Sequence, residues 1–289
     1  MRTRFAPSPT GYLHLGHAYA AMVAQKVAVD GGGEFLLRYE DIDRTRVREP
    51  YYEAIEEDLS WLGCNWQREP APMRQLDRLG EYGAALDQLK ELGVVYPCFC
   101  TRKEIQLEVA AMGNAPHGPE GVHYPGICKR LAADVVAEKL AAGDEHCWRL
   151  DIEKVKSSWL ADGELSFTDL RYGVVVVQPD LLGDVVLARK DIATSYHLAV
   201  VVDDAAQRIT HVTRGEDLMA STHVHRILQH LLQLAEPVYL HHALVVDENG
   251  KRLAKRDESK SLRSLRDSGV KPAELVDQLW RDFPLGISS

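Results

Sequence analysis

Two histidines stand close together near the start of the chain, in Arg4-Phe5-Ala6-Pro7-Ser8-Pro9-Thr10-Gly11-Tyr12-Leu13-His14-Leu15-Gly16-His17. The proline-rich turn cannot be helical, so a helix is expected to open at the histidines. A helix start offers free N–H groups and a positive dipole end to a phosphate. Imidazoles there can donate hydrogen bonds to a transferring phosphoryl group, and Gly16 lets a flat ring such as adenine lie against the backbone. The stretch therefore predicts a nucleotide site.

A second chemical cluster consists of thiols: Cys98, Cys100 and, after a segment rich in Gly and Pro, Cys128. Zinc in structural sites prefers four ligands, commonly Cys or His. Composition alone offers His117 or His123 as the fourth ligand. The alternative is a set of buried apolar cysteines, and this is the interpretation for the two remaining residues, Cys64 and Cys147.

The elements that must position the histidines form a predicted strand, helix and strand. Residues 2 to 5 are short and extended, an Ala-rich helix follows from Leu15, and Gly31-Gly32-Gly33 ends it before an alternating strand over 34–39. A second helix is predicted to start at Pro50, because proline suits the first helical turn. Apolar residues at helical spacing mark a third helix from Leu79 to Leu89.

The middle of the chain changes character. A strand is predicted over 94–100, and Thr101-Arg102-Lys103-Glu104 is a capping box that should start a helix just after the first thiols. A loop is predicted over 113–126, and helices are predicted over 131–142, 196–204 and around Val224 to Leu232. Short β segments are predicted over 173–178 and 185–188, and an extended segment is predicted over 209–213. The parallel sheet is therefore expected to be interrupted by a segment of roughly a hundred residues.

Composition excludes several classes of protein. The chain has 289 residues, 45% of them apolar, and a net charge of −9, so it can form a sizeable core and does not grip nucleic acid over its whole surface. The segment 250–266 is locally basic, which allows a confined RNA contact. No apolar run reaches the ~20 residues of a membrane span, and no signal peptide is evident. A cytoplasmic protein without membrane contact is expected.

The histidine-bearing stretch resembles the ATP-binding signature of class I aminoacyl-tRNA synthetases, in the version shared by glutamyl-tRNA synthetases and truncated glutamyl-queuosine tRNA(Asp) synthetases. Matching segments follow in order at 37–46, 58–63, 195–204 and 209–217. The resemblance implies an α/β fold: a Rossmann-type parallel-sheet catalytic domain in two halves, an inserted zinc-bearing α/β subdomain and a short helical C-terminal region. The expected bounds are 1–95 and 181–256 for the halves, 96–180 for the insertion and 257–289 for a stem-contact remnant.

The same resemblance implies a glutamate site. Its expected lining is Arg4, Phe5, Ala6, Pro7, Ser8, Glu40, Tyr196 and Arg214. Glu40 is expected to hold the α-amino group, Tyr196 to pack over the substrate, and Arg214 to pair with a carboxylate. The physical chemistry agrees, because a carboxylate is best bound by a forked, permanently charged donor, and an ammonium needs a carboxylate partner.

Class I synthetases carry a second ATP signature, a lysine-bearing loop late in the chain. The matching segment is Asn249-Gly250-Lys251-Arg252-Leu253-Ala254-Lys255-Arg256, after an apolar strand predicted over 243–246. By resemblance, Lys255 is catalytic together with His14 and His17, and Arg252 and Leu253 bind ATP beside Gly16. The segment departs from the family pattern at Arg252, in place of a lysine, and at Ala254, in place of a serine hydroxyl.

The resemblance also implies one structural zinc ion per chain and selects its fourth ligand. Glutamyl-queuosine synthetases use a tyrosine in a Tyr-x-x-x-Cys arrangement, which is matched by Tyr124 and Cys128. The implied ligand set is therefore Cys98, Cys100, Tyr124 and Cys128.

The chain ends shortly after the lysine segment, so no anticodon-binding domain is expected. By resemblance, the expected activity is ATP- and Mg²⁺-dependent activation of L-glutamate to glutamyl-adenylate, then transfer to queuosine at the wobble position of tRNA(Asp). The catalytic domain of a monomer would meet the anticodon loop. Alternatives are a truncated enzyme that charges tRNA(Glu) and a non-catalytic RNA-binding paralogue. Small nucleotidyltransferases share the H-x-G-H motif but lack the other segments.

Overall fold

The computed structural model describes residues 1–111, 117–118, 121–160, 163–245 and 261–286. The chain begins with alternating strands and helices: β1 (Arg2–Phe5), α1 (Leu15–Asp30), β2 (Glu34–Tyr39), α2 (Pro50–Trp61), β3 (Met73–Arg74) and α3 (Leu79–Glu91). β2 lies between β1 and β3 and is parallel to both. The predicted strand–helix–strand opening and the helix start at Pro50 are confirmed.

The second parallel group lies beside β1. Its elements are β8 (Ser166–Asp169), β9 (Gly173–Val176), α7 (Tyr196–Ala206), β11 (His211–Gly215), α8 (Met219–Leu231) and β12 (Val238–His242). β12 is parallel to β11 and β8, whereas β9 is antiparallel to β8. Thr210, just before β11, donates its N–H to the carbonyl of Arg2 (3.0 Å). This contact joins the two parallel groups.

The prediction of a strand over 243–246 is wrong, because the strand in this region is β12, which ends at His242. Pairing with β11 decides its position: the register runs from His211 opposite Val238 to Gly215 opposite His242, where β11 also ends. Of the apolar residues that follow, Val245 packs into the hydrophobic core without belonging to a strand. Val246 lies outside the described residues.

A separate antiparallel sheet consists of β4 (Val95–Cys98), β7 (Cys147–Leu150) and β10 (Val186–Ala188), with β7 in the middle. Between β4 and β8 the chain also forms α4 (Arg102–Ala111), α5 (Ala133–Ala141), α6 (Ile152–Trp159) and a hairpin of two-residue strands, β5 (His117–Gly118) and β6 (Gly121–Val122). The predicted capping box starts α4: Thr101 donates its N–H to Glu104 Oε2 (2.7 Å), and the Glu104 N–H donates to Thr101 Oγ1 (3.2 Å).

The sheets interleave along the chain. β8 and β9 fall within 96–180 yet belong to the sheet of β12, whereas β10 falls after residue 180 yet pairs with β7. The boundary expected at residue 180 therefore does not coincide with a change of sheet.

The last described segment contains α9 (Leu262–Asp267) and α10 (Pro272–Asp282). Leu262, Leu275 and Leu279 pack into the same core as α1. The Tyr19 hydroxyl donates to the carbonyl of Phe283 (2.7 Å), which fixes the end of α10 against α1. Among the described helices, none combines the length and the apolar character that a membrane crossing requires.

Candidate active site

A cavity of about 390 Å³ opens where β1, β2 and β11 end and α1 begins. It brings together most of the predicted site residues: Arg4, Phe5, Ala6, His14, Gly16, His17, Glu40, Tyr196 and Arg214. Pro7 and Ser8 do not line it. The Pro7 carbonyl accepts the N–H of Glu40 (3.0 Å) and so holds the ends of β1 and β2 together, and Ser8 lines a smaller adjoining cavity.

The two histidines form the start of α1. His14 Nδ1 accepts the N–H of Gly16 (3.1 Å), and His17 Nδ1 accepts the N–H of His14 (3.2 Å). An imidazole that accepts at Nδ1 carries its proton at Nε2, so both rings are donors there. A side chain at Gly16 would place its Cβ 3.1 Å from the His14 ring and disturb this cap. The arrangement offers hydrogen-bond donors at the positive end of a helix dipole, which suits a phosphate.

Arg214 supplies a buried positive charge to the cavity. Its guanidinium donates to the Tyr196 hydroxyl (3.4 Å), His225 Nδ1 (3.1 Å) and His241 Nε2 (3.3 Å), none of which is anionic. Within the described part of the chain, no carboxylate forms an ion pair with it. A buried guanidinium surrounded by neutral acceptors is a strong attractor for an anionic ligand, because the ligand would supply the missing counter-charge.

A shell of histidines holds Arg214 in place. His241 bridges Asp169 Oδ2 (2.7 Å from Nδ1) and Thr222 Oγ1 (2.8 Å from Nε2), and His225 Nε2 lies 3.2 Å from His197 Nδ1. Burial, and then the charge of Arg214, lower the pKa of His197 to about 4 and hold the pKa of His225 well below its usual value. These rings stay neutral at pH 7, so they do not repel a cationic Arg214.

The neutral histidines predict a loss of stability in acid. Because the pKa of folded His197 lies below that of the unfolded chain, near 6.5, the unfolded chain binds the proton first as the pH falls. We expect the free energy of unfolding to fall by on the order of 1 kcal/mol between pH 7 and pH 5 through this group. Urea unfolding at both pH values measures it. A His197→Gln variant should lose this part of the pH dependence; an unchanged profile would contradict the assignment.

The histidine shell is absent from the residues predicted from the sequence, although the sequence contains a signal for it. Thr222 and His225 lie on the buried side of α8, an amphipathic helix in which polar residues would otherwise face solvent. His197 lies inside one of the family-like segments, next to Tyr196. Polar residues at apolar positions of a helix could have indicated a buried network.

Glu40 and Arg4 belong to a second charged group. Arg4 Nε donates to Asp204 Oδ1 (2.9 Å), and Arg38 Nη1 donates to the same oxygen (2.7 Å). Arg4 therefore lines the cavity with a guanidinium that Asp204 already neutralises. Glu40 lies 3.5 Å from Arg38 Nη2; burial raises the pKa of its carboxyl, against the opposing effect of Arg38 and Arg4. An ammonium group beside Glu40 would favour its ionised form.

Arg252, Leu253 and Lys255 lie outside the described residues, but both flanks of their segment are placed. Leu244 and Val245, before it, line the cavity. After it, Ser261 forms a β-bridge with His14, and the Leu262 N–H donates to the Leu13 carbonyl (2.8 Å). The described residues on either side, Val245 and Ser261, thus lie beside the cavity and the start of α1.

The thiols gather on the antiparallel sheet, away from the cavity. The sulfur atoms of Cys98, Cys100 and Cys128 all lie within 4.8 Å of one another. The Tyr124 hydroxyl lies 3.4 Å from Cys100 Sγ and accepts the Cys128 N–H (2.9 Å). Three thiols and a phenol oxygen therefore meet at one point.

The other candidate ligands are placed elsewhere. His123 hydrogen-bonds to the Leu181 carbonyl (3.0 Å), and the side chain of His117 lies outside the described part. Cys64 is buried, as expected. The prediction that Cys147 is a buried cysteine without thiol partners is wrong. Cys147 is half-buried and lies directly across from Cys98 in the β4–β7 register, and the two thiols form a hydrogen bond. Strand pairing between residues 49 positions apart is not visible in the local sequence.

Comparisons with known proteins identify the family of this chain. The model of the family "tRNA synthetases class I (E and Q), catalytic domain" matches residues 1–286. The glutamyl-Q tRNA(Asp) synthetase of Rhodobacter capsulatus is 46% identical over 95% of this chain and 98% of its own length, and that of Nitratidesulfovibrio vulgaris is 42% identical over 96% and 85%. A solved glutamate tRNA ligase from Elizabethkingia meningosepticum, in complex with its amino acid, superposes with a TM-score of 0.76 at 29% identity; the match covers 90% of this chain and 53% of that one. The chain belongs to the class I tRNA synthetases of the E and Q group.

Proposed function

We propose that this chain activates L-glutamate with ATP and transfers the glutamyl group to queuosine at the wobble position of tRNA(Asp). The observation that carries the proposal is the match, over nearly their whole length, to relatives named for this activity. The cavity is compatible with it, because its lining includes Arg214, which pairs with no carboxylate of the described residues, and the two histidines at the start of α1. These two groups suit a carboxylate and a phosphate, respectively.

The first step joins glutamate to the nucleotide. The α-carboxylate of glutamate attacks the α-phosphate of ATP, a new C–O–P linkage forms, and pyrophosphate leaves. Arg214 pairs with a carboxylate of glutamate, and Glu40 receives its ammonium group. The Nε2–H groups of His14 and His17 donate to phosphate oxygens. Lys255 neutralises charge that develops between the α- and β-phosphates, and Mg²⁺ bound with ATP offsets the charge of the triphosphate.

The second step moves the glutamyl group to RNA. A hydroxyl of the cyclopentene ring of queuosine attacks the carbonyl carbon of the mixed anhydride, an ester forms, and AMP leaves. Positioning and electrostatic stabilisation suffice for this chemistry, so no protein nucleophile is needed.

The acceptor distinguishes this proposal from its alternatives. We expect labelled glutamate to be transferred to queuosine-containing tRNA(Asp) and not to tRNA(Glu). A truncated tRNA(Glu)-charging enzyme would give the reverse result. A non-catalytic RNA-binding paralogue would show no glutamate-dependent ATP–pyrophosphate exchange at all, in the presence or absence of tRNA.

We also propose that Cys98, Cys100, Tyr124 and Cys128 hold one structural zinc ion. The donor set fits, because three thiols and a phenol oxygen provide the four ligands of a closed tetrahedral site. The Phe99 N–H donates to Cys128 Sγ (3.2 Å), as backbone N–H groups do in thiolate sites. When bound, the ion would cross-link the end of β4 to the turn at Cys128 and would take no part in the reaction.

Loss of one thiolate tests the zinc site. We expect purified protein to contain about one zinc per chain, and Cys128→Ser to contain little, because three remaining ligands bind zinc far more weakly. Elemental analysis after gel filtration measures the ratio. Cys64→Ser is the matched control, since Cys64 is equally buried but lies in the core of the first half, and it should retain its zinc. The assignment of a zinc site would be wrong if the wild-type protein contained no zinc.

A further inference from the structure

The active-site cavity is the first in a row of three neighbouring cavities. A smaller cavity of about 290 Å³ shares Glu40 and Tyr196 with it. This smaller cavity in turn shares Ile42, Arg189 and Ile192 with a cavity of about 820 Å³ beside the antiparallel sheet. The three cavities are therefore neighbours in a row that leads from the active-site cavity to the antiparallel sheet.

The far end, here called the Trp148 cavity, has the side chains of a nucleotide platform. Trp148 of β7 is half-buried, with Lys90 Nζ 4.5 Å from its ring centroid and the His146 ring edge-on at 5.5 Å. Three further cations line the cavity: Arg44, Arg189 and Lys190. Indole and imidazole rings beside cations are the groups that stack on bases and meet phosphates in single-stranded RNA sites.

The acidic residues of this cavity do not make it repulsive to RNA. Each pairs with a cation: Asp87 with Lys90, Asp144 with Lys139, Glu145 with Lys190 and Asp191 with Arg189. The Arg189–Asp191 pair is about half exposed on both sides. Such exposed pairs contribute little stability, so their cations can turn to a phosphate at small cost.

We propose that the Trp148 cavity binds the anticodon-loop nucleotides that flank the wobble base, with one base stacked on Trp148 and phosphate oxygens near Arg189 and Lys190. The proposal rests on the proposed function. The acceptor must reach the glutamyl carbonyl from a side that ATP does not occupy, and ATP lies at the start of α1. The small cavity between Glu40 and Arg189 lies on such a side, and the neighbouring cavity of 820 Å³ exceeds what glutamate needs.

Trp148→Leu tests the stacking contact. The probe is a fluorescein-labelled anticodon stem–loop of tRNA(Asp) that carries queuosine, titrated by anisotropy. We expect Kd to rise about tenfold for Trp148→Leu and to stay within about twofold for Trp148→Phe, because base–aromatic stacking needs a ring. Lys156→Ala is the matched control, since Lys156 is an exposed cation that lines none of the three cavities.

Two further readouts separate stacking from folding. Glutamate-dependent ATP–pyrophosphate exchange should be unchanged in all three variants, because none of these residues lines the active-site cavity. Stem–loop RNA should quench the tryptophan fluorescence of the wild type, and Trp148→Phe should lose most of this quenching while it keeps its affinity.

Equal RNA affinity of Trp148→Leu and wild type, or no stem–loop binding by the wild type, would overturn the inference. Failure of the proposed function has a different signature: wild-type protein would bind the stem–loop with the expected dependence on Trp148 but would transfer no glutamate to it.

Discussion

Arg214→Leu is expected to lower kcat/KM for glutamate in ATP–pyrophosphate exchange by about a thousandfold, equivalent to about 4 kcal/mol. The guanidinium is buried, and its partners in the described chain, Tyr196, His225 and His241 among them, are neutral. No carboxylate of the described residues pairs with this guanidinium, so a carboxylate of the ligand can complete its charge pairing. Initial rates at varied glutamate and saturating ATP measure the effect.

Arg214→Lys keeps the charge but loses the planar fork, so we expect an intermediate loss of about ten- to a hundredfold. Circular dichroism and the zinc content of each variant show whether it has folded. The role assigned to Arg214 would be wrong if the folded leucine variant retained wild-type kcat/KM for glutamate, or if it lost affinity for ATP alone.

Lys255→Ala is expected to reduce kcat of the exchange reaction by about a hundred- to a thousandfold, with little change in KM for glutamate. A mobile ammonium that meets charge developing on the phosphates acts mainly in the transition state, and removal of one such donor typically costs about 3–4 kcal/mol. Val245 lines the cavity and Leu262 contacts Leu13, so the described residues on either side of this segment are compatible with a lysine that reaches the histidines of α1.

Lys260→Ala serves as the control for Lys255→Ala, because it removes the same charge from the same basic segment without removing the family-matched lysine. We expect it to keep near-normal exchange. An equal loss in both variants would show that the net charge of the segment matters and that no particular lysine does.

The local elements of the fold were predictable because their signals are local. Pro50 starts α2, Gly31 follows the last residue of α1, and the Thr101–Glu104 capping box precedes α4. Each signal acts within one helical turn and does not depend on distant contacts. The apolar run over 243–246 lacked such a signal, and pairing with β11 placed the strand earlier.

Long-range pairing also explains the other differences. Cys147 meets Cys98 because β4 and β7 are antiparallel neighbours in this register. β8 pairs with β12 and so belongs to the parallel sheet. No change of composition near residue 166 indicates this pairing. The resemblance to the class I synthetases is confirmed by the family match, but the residues behind the site, Asp169, Thr222 and His241, had to be found in three dimensions.

In the active site, too, the local features were predictable from the sequence and the long-range contacts were not. The motif residues His14, Gly16 and His17 lie together because they share one helix start. Arg4 lies where the motif places it, but its guanidinium is held by Asp204, a partner 200 residues away. Residue types and spacing could indicate which side chains line the cavity; which of their charges remain available to a ligand depends on the packing of α7 and α8 behind them.

The most direct test of the account is glutamate transfer to tRNA(Asp) with and without queuosine. The two tRNAs should have the same sequence and differ only in the wobble base, and labelled glutamate, ATP and Mg²⁺ should be present in both reactions. We predict base-labile glutamate on the queuosine-containing tRNA alone, with resistance of the product to periodate as a second sign that the cyclopentene diol carries the ester. Equal labelling of both tRNAs, or labelling of neither in a preparation that performs glutamate-dependent pyrophosphate exchange, would contradict it.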